Sequence, residues 1–92
     1  MKKFSEKVKL WRWPGDGAWH FVTLDKKLYE KIRAKYGKGM LRISAQVGKT
    51  KFETSLLPHN MSQSYLIAIK KSVRQSEGLL DGDSFTVKFE IK

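Results

Sequence analysis

One order of elements runs through this sequence twice, and that repetition limits its folds more than any single motif. Phe4, Val8 and Leu10 alternate with polar residues up to Trp11-Arg12-Trp13, the period of a β-strand. Pro14-Gly15-Asp16-Gly17 has the composition of a turn, and Ala18 to Leu24 makes a second strand. Asp25 stands where a helix N-cap would, Leu28, Tyr29, Ile32 and Tyr36 share a helical face, and Gly37 and Gly39 close that helix. Leu41, Ile43, Ala45 and Val47 alternate as a third strand. The second half begins with a strand at Phe52, Thr54 and Leu56, followed by a polar loop from Pro58 to Ser64. A strand with Tyr65, Ile67 and Ile69 leads into a short helix over 70–77. Gly78-Leu79-Leu80-Asp81-Gly82-Asp83 then turns into a last strand, with Phe85, Val87, Phe89 and Ile91 facing inward.

Set against each other without a gap, the halves align Val8 with Phe52, Pro14 with Pro58, Phe21 with Tyr65 and Lys26-Lys27 with Lys70-Lys71. Leu41, Ile43, Ala45 and Val47 then meet Phe85, Val87, Phe89 and Ile91. The matched order of elements carries this alignment, because identities are few. The expected fold is mainly β with two short helices: a small six-stranded closed barrel built from a duplicated ββαβ unit. Closure removes the exposed edges that an open sheet must blunt. The alternative is an open α+β sandwich of two hairpins, each followed by a helix. With 92 residues there is room for one core, so 1–92 is one domain with repeats of about 3–47 and 48–92.

The chain has no cysteine, which removes disulfides, thiolate zinc sites and thiol nucleophiles together. A secreted domain of this size usually carries disulfide staples, so a reducing, cytoplasmic setting is expected. Met1-Lys2-Lys3-Phe4 is followed by no apolar run, which reads as no signal peptide. No stretch approaches the roughly 20 apolar residues of a membrane span, and no membrane partner is expected. The net charge of +10, with 19 basic residues against 9 acidic, favours an anionic partner. Most of the basic residues are lysine, a hydrated point charge, and only four are arginine, the residue of bidentate phosphate and base recognition. That balance fits loose electrostatic attraction better than specific readout.

Leu10-Trp11-Arg12-Trp13-Pro14-Gly15 followed by Trp19-His20-Phe21-Val22 resembles the opening of bacterial domain-of-unknown-function family nineteen-hundred-and-five. Thr54-Ser55-Leu56-Leu57-Pro58, Lys70-Lys71-Ser72-Val73-Arg74 and Gly78-Leu79-Leu80-Asp81-Gly82-Asp83 match the same family in the same order. The resemblance implies a small barrel of the double-split kind, a class that also holds AbrB-like transition regulators and antitoxin DNA-binding domains. It brings no established activity. The loop Pro58-His59-Asn60-Met61-Ser62-Gln63-Ser64 departs from the family in lacking its usual glycines.

No catalytic constellation emerges. His20 and His59 are far apart in sequence and have no cysteine or paired-histidine spacing, so no metal or other cofactor is expected. Ser55 lies in a strand without the glycine context of a nucleophile elbow. Asp16, Asp25, Asp81 and Asp83 have turn or capping work.

Two constellations bear on binding. Trp11 and Trp13, two apart, point to one strand face, and Trp19 lies across the turn from them. They form either a stacking platform, at about 1–3 kcal/mol per base, or one wall of the core; the small size of the domain favours the wall. Lys70 and Arg74 share a helix face beside Lys71, where like charges repel unless an anion or carboxylate lies between them. Either an anion lies there, with Arg42 as a further cation, or ion pairs to Glu77, Asp81 or Asp83 do. Lys27, Lys31 and Lys35 form a stripe that either tracks phosphates or covers the core edge with its stems.

The expected function is a non-enzymatic binding module for an anionic partner such as nucleic acid or a nucleotide-like ligand. The alternatives are a small-metabolite-binding or enzymatic domain with a pocket near Ser55, His20 and Arg74, and a ligand-free protein-interaction domain. With both halves of a barrel in one chain, a monomer is expected.

Overall fold

The computed structural model describes residues 3–15, 17, 19–37, 39–59 and 61–92. Its strands are β1 (Lys3–Lys9), β2 (Trp11–Arg12), β3 (His20–Thr23), β4 (Leu41–Val47), β5 (Thr50–His59), β6 (Ser64–Ala68) and β7 (Ser84–Ile91). Helix α1 (Lys26–Tyr36) links β3 to β4, and α2 (Lys71–Glu77) links β6 to β7. The strands form a seven-stranded sheet in the order β1-β7-β4-β5-β6-β3-β2, with antiparallel neighbours. Asp16 and Ala18, read above as turn and strand, and Asn60 of the polar loop lie outside the described residues.

This sheet curls into a half-barrel and is not the closed six-stranded barrel expected from the sequence. The reason lies at Leu10. Its N–H donates to the Asp83 carbonyl at 2.8 Å, and its carbonyl accepts from the Gly82 N–H at 2.8 Å. The first strand therefore leaves its ladder to bond the 78–83 turn. Beyond that break β2 has only two residues, which pair with β3, whereas β1 pairs with β7. No ladder joins β1 to β3 among the described residues, so the seam stays open.

The gapless alignment of the halves also needs correction. β7 sets Phe85 opposite Val8, and β4 sets Leu41 opposite Leu56. With Leu41 set against Phe85, as in that alignment, their cross-strand partners are Leu56 and Val8, whereas the alignment set Val8 against Phe52.

The inward residues of the strands make the core: Leu10, Val22, Ile43, Leu56, Ile67 and Val87 are fully buried. Helix α1 adds Tyr29 and Ile32, with the Tyr29 and Tyr65 rings 4.9 Å apart, and α2 adds Val73. Each large apolar side chain so buried contributes about 1.5–3 kcal/mol. Asp25 caps α1 by accepting from the Lys27 N–H at 3.5 Å, as the sequence led one to expect. No helix among the described residues is long and apolar enough to cross a membrane.

β5 runs two residues further than its sequence pattern indicates, taking in Pro58 and His59 from the expected loop. Proline is tolerated there because of the pairing geometry. Pro58 lies opposite Tyr65, whose carbonyl is turned to β3, where it accepts from the Leu24 N–H. That pair makes no ladder hydrogen bond, so the N–H that proline lacks is not needed.

Candidate functional site

The hairpin of β2 and β3 places its side chains by register. Trp11 lies opposite Phe21, and the Trp13 N–H donates to the Trp19 carbonyl at 2.8 Å, carrying the ladder one pair beyond the strands. Leu10 and Val22 point into the core, so by strand alternation Trp11, Trp13, Trp19 and Phe21 occupy the outer face.

The preference for the tryptophans as a core wall is thereby overturned. Trp13 is 40% and Trp19 59% exposed, while Trp11 is half-buried. The core closes without them because aliphatic residues and Tyr29, Phe52, Tyr65 and Phe89 fill it. Outside, the rings rest on one another. Trp11 is 5.6 Å from Trp13 and 5.4 Å from Phe21, and Trp19 stacks on Phe21 at 6.4 Å and 15°. The Trp11 indole N–H donates to Thr23 Oγ1 at 2.9 Å, which fixes that ring.

A further ring joins this face that the sequence did not single out for it. His59, at the end of β5, sets its ring edge-on to Trp13 at 6.4 Å. Its Nδ1 shares a hydrogen bond with Ser62 Oγ at 2.7 Å, which orients the imidazole. The signal was hidden because Pro58 and His59 read as loop; only the extended β5 carries His59 beside the hairpin.

The expected cations fall in two places. Lys70 is the N-cap residue of α2, and Lys71 starts the helix. Arg74, half-buried, donates from Nε to the Ile69 carbonyl at 3.1 Å. None of the three is in an ion pair among the described residues. Of their expected partners, Glu77 instead accepts from Thr50 Oγ1 at 2.6 Å, and Asp83 accepts from the Leu80 N–H at 2.9 Å. Among the described residues no hydrogen bond or ion pair brings Arg42 to this group. It donates to Ser55 Oγ at 3.0 Å on the β4–β5 ladder, near the Lys92–Glu53 ion pair. The hydrogen bonds from Lys92 and Ser44 hold the Glu53 carboxyl below its usual range.

The lysine group lies close to the aromatic face through the β3–β6 ladder. Phe21 is opposite Ala68, and the Ile69 N–H donates to the His20 carbonyl at 2.9 Å. Lys70 directly follows Ile69 and Trp19 directly precedes His20, so the two flank the last hydrogen bond of that ladder. Ser55 is engaged by Arg42 and Arg74 by the Ile69 carbonyl.

Clefts open elsewhere. One of about 560 Å³ lies between β1 and α1, lined by Glu6, Asp25, Lys27 and Lys31 among others. Burial raises the Glu6 carboxyl above its usual range; a hydrogen bond from the Asp25 N–H opposes this and the Asp25 charge adds to it. A second of about 710 Å³ crosses β1, β7, β4 and β5 and is lined by both signs of charge, including Lys3, Lys51, Lys88, Glu53 and Glu90.

No curated protein matches the chain. The model of a family described as Domain of unknown function (DUF1905) matches residues 7–89, nearly the whole half-barrel with the tryptophan hairpin and α2 inside it, and the chain belongs to that family.

Proposed function

We propose that this domain is a non-enzymatic binding module that takes planar rings of an anionic partner, the bases of nucleic acid or of a nucleotide-like ligand, on its aromatic face. One observation carries the reading: Trp13 and Trp19 are exposed on a hairpin whose neighbouring rings and Thr23 bond already hold it in shape. A pre-ordered aromatic surface loses little side-chain freedom when a base stacks on it, at about 1–3 kcal/mol per base. The net charge of +10, with Lys70 and Lys71 in no ion pair among the described residues, supplies attraction for the attached phosphates. Arg42 is the weaker member of the proposed cation set, because it is occupied by Ser55.

The test is intrinsic tryptophan fluorescence during titration with short DNA and RNA at low and moderate salt. Quenching that weakens with salt and is reduced in Trp13→Ala and Trp19→Ala supports the reading. An unchanged emission at the highest ligand concentration contradicts it. Sedimentation of the same samples tests whether one chain acts alone, as the reading holds.

A further inference from the structure

We infer that the aromatic face takes a single strand of nucleic acid in preference to an isolated nucleotide or a duplex, with the sugar–phosphate chain passing Lys70 and Lys71; this rests on the stacking reading above. Lys70 and Trp19 directly flank the Ile69 to His20 hydrogen bond, which lies one step beyond the Phe21–Ala68 pair of the β3–β6 ladder. Lys70 keeps an extended backbone, with φ −67 and ψ 159, which carries it from Ala68 toward the side of Phe21 and Trp19. Lys71 follows it on α2, and neither lysine is in an ion pair among the described residues.

The rings are already in contact, with centroids between 5.4 and 6.4 Å apart, so a ligand stacks on them from outside. A duplex keeps its base faces inside its own stack, whereas a single strand presents them. A lone nucleotide covers one ring and reaches little of the lysine pair. Successive bases of a strand meet both exposed rings, Trp13 and Trp19, while the phosphates between them run along the lysines at the edge. Lysine attracts phosphate without the bidentate geometry that reads a base edge, so binding is tolerant of sequence.

Single strands lose affinity with salt at a slope of about −0.7 per neutralised phosphate, so two lysine contacts give roughly a sevenfold loss for a fourfold rise in salt. The experiment compares a short oligothymidylate, a short oligouridylate, thymidine monophosphate and a DNA duplex, each titrated into the wild type, Trp19→Ala and the Lys70→Ala/Lys71→Ala double variant, with circular dichroism confirming the folds. The expected result is binding of the oligomers at least about fivefold tighter than the monophosphate, since a second stacked base alone is worth about 1 kcal/mol or more. The double variant is expected to flatten the salt slope of the oligomers and to weaken the oligomers more than the monophosphate. Oligomers no tighter than the monophosphate, a duplex equal to the single strand, or a salt slope indifferent to the two lysines would each overturn the single-strand inference and leave base stacking standing. No quenching by any ligand would overturn both.

Discussion

The carboxylate of Glu77 on α2 occupies the space that a side chain on Gly48 would need, at the turn between β4 and β5. It accepts from the Lys49 N–H at 3.3 Å and from Thr50 Oγ1 at 2.6 Å, and Thr50 Oγ1 also meets Ser76 Oγ at 2.9 Å. Helix α2 is thereby tied to a hairpin 28 residues away in sequence. Gly48 itself has φ +58, a conformation that favours glycine. Gly48→Ala is expected to destabilise the domain by about 2–3 kcal/mol, combining backbone strain with displacement of the carboxylate. In a Glu77→Ala background the same change should cost only its backbone part, about 1–2 kcal/mol. Denaturant titration of the four proteins separates the two contributions; equal costs in both backgrounds would refute the link.

Truncating two tryptophans of the same face should have unequal effects. Trp11 is half-buried, contacts Trp13 and Phe21, and donates to Thr23, so Trp11→Ala is expected to cost about 2 kcal/mol. Trp19 is largely exposed, and Trp19→Ala should cost no more than about 0.5–1 kcal/mol. Thermal unfolding of both variants checks the order. A larger loss for Trp19 would mean that its ring supports the fold rather than a ligand.

Glu6 makes stability depend on pH in a definite direction. Its carboxyl titrates above the usual value in the folded chain, mainly through burial. The folded state thus holds the proton more tightly than the unfolded state, and stability falls as pH rises from the unfolded value through the raised folded one. Asp25, Glu30, Lys27 and Lys31 line the same cleft. Glu6→Gln should remove this component and leave the variant more stable than the wild type near neutral pH. Unfolding free energies measured from mildly acidic to neutral pH test it; parallel curves would refute it.

Leu10 serves the core and the seam at once. Its side chain is fully buried, and both of its main-chain groups bond the 78–83 turn. Leu10→Ala should cost about 2–5 kcal/mol by opening a cavity. Amide exchange should also accelerate at Gly82, whose N–H bonds the Leu10 carbonyl. Unchanged exchange there would show that the turn holds without the side chain.

Local pattern carried the elements far. Asp25, the apolar face of α1, the alternation of Leu41 to Val47 and that of Phe85 to Ile91 all read correctly, because each depends on neighbours within one turn or one strand. What the pattern missed depends on pairing. The break at Leu10 comes from hydrogen bonds to Gly82 and Asp83, residues remote in sequence, so an unbroken alternation looked like an unbroken strand. Pro58 looked like the start of a loop because its tolerance depends on Tyr65 facing β3. The tryptophans were correctly grouped on one face, but which face meets water is set by Leu10 and Val22 taking the core. His59 has no metal-ligand spacing in the sequence, and its neighbour in the fold is an indole.

The pairing of β1 with β7 sets a schedule for folding. As the chain emerges from the ribosome, the lysine-bearing first strand has no ladder partner until residues 84–91 have followed it. The β4–β5 hairpin and the α1 segment have their local partners much earlier. The first strand made is therefore among the last to be seated, and a loop spanning most of the domain must close before its contacts repay the lost freedom. Lysines at positions 3, 7 and 9 suit that wait, because charge along an unpaired strand discourages it from pairing with another chain.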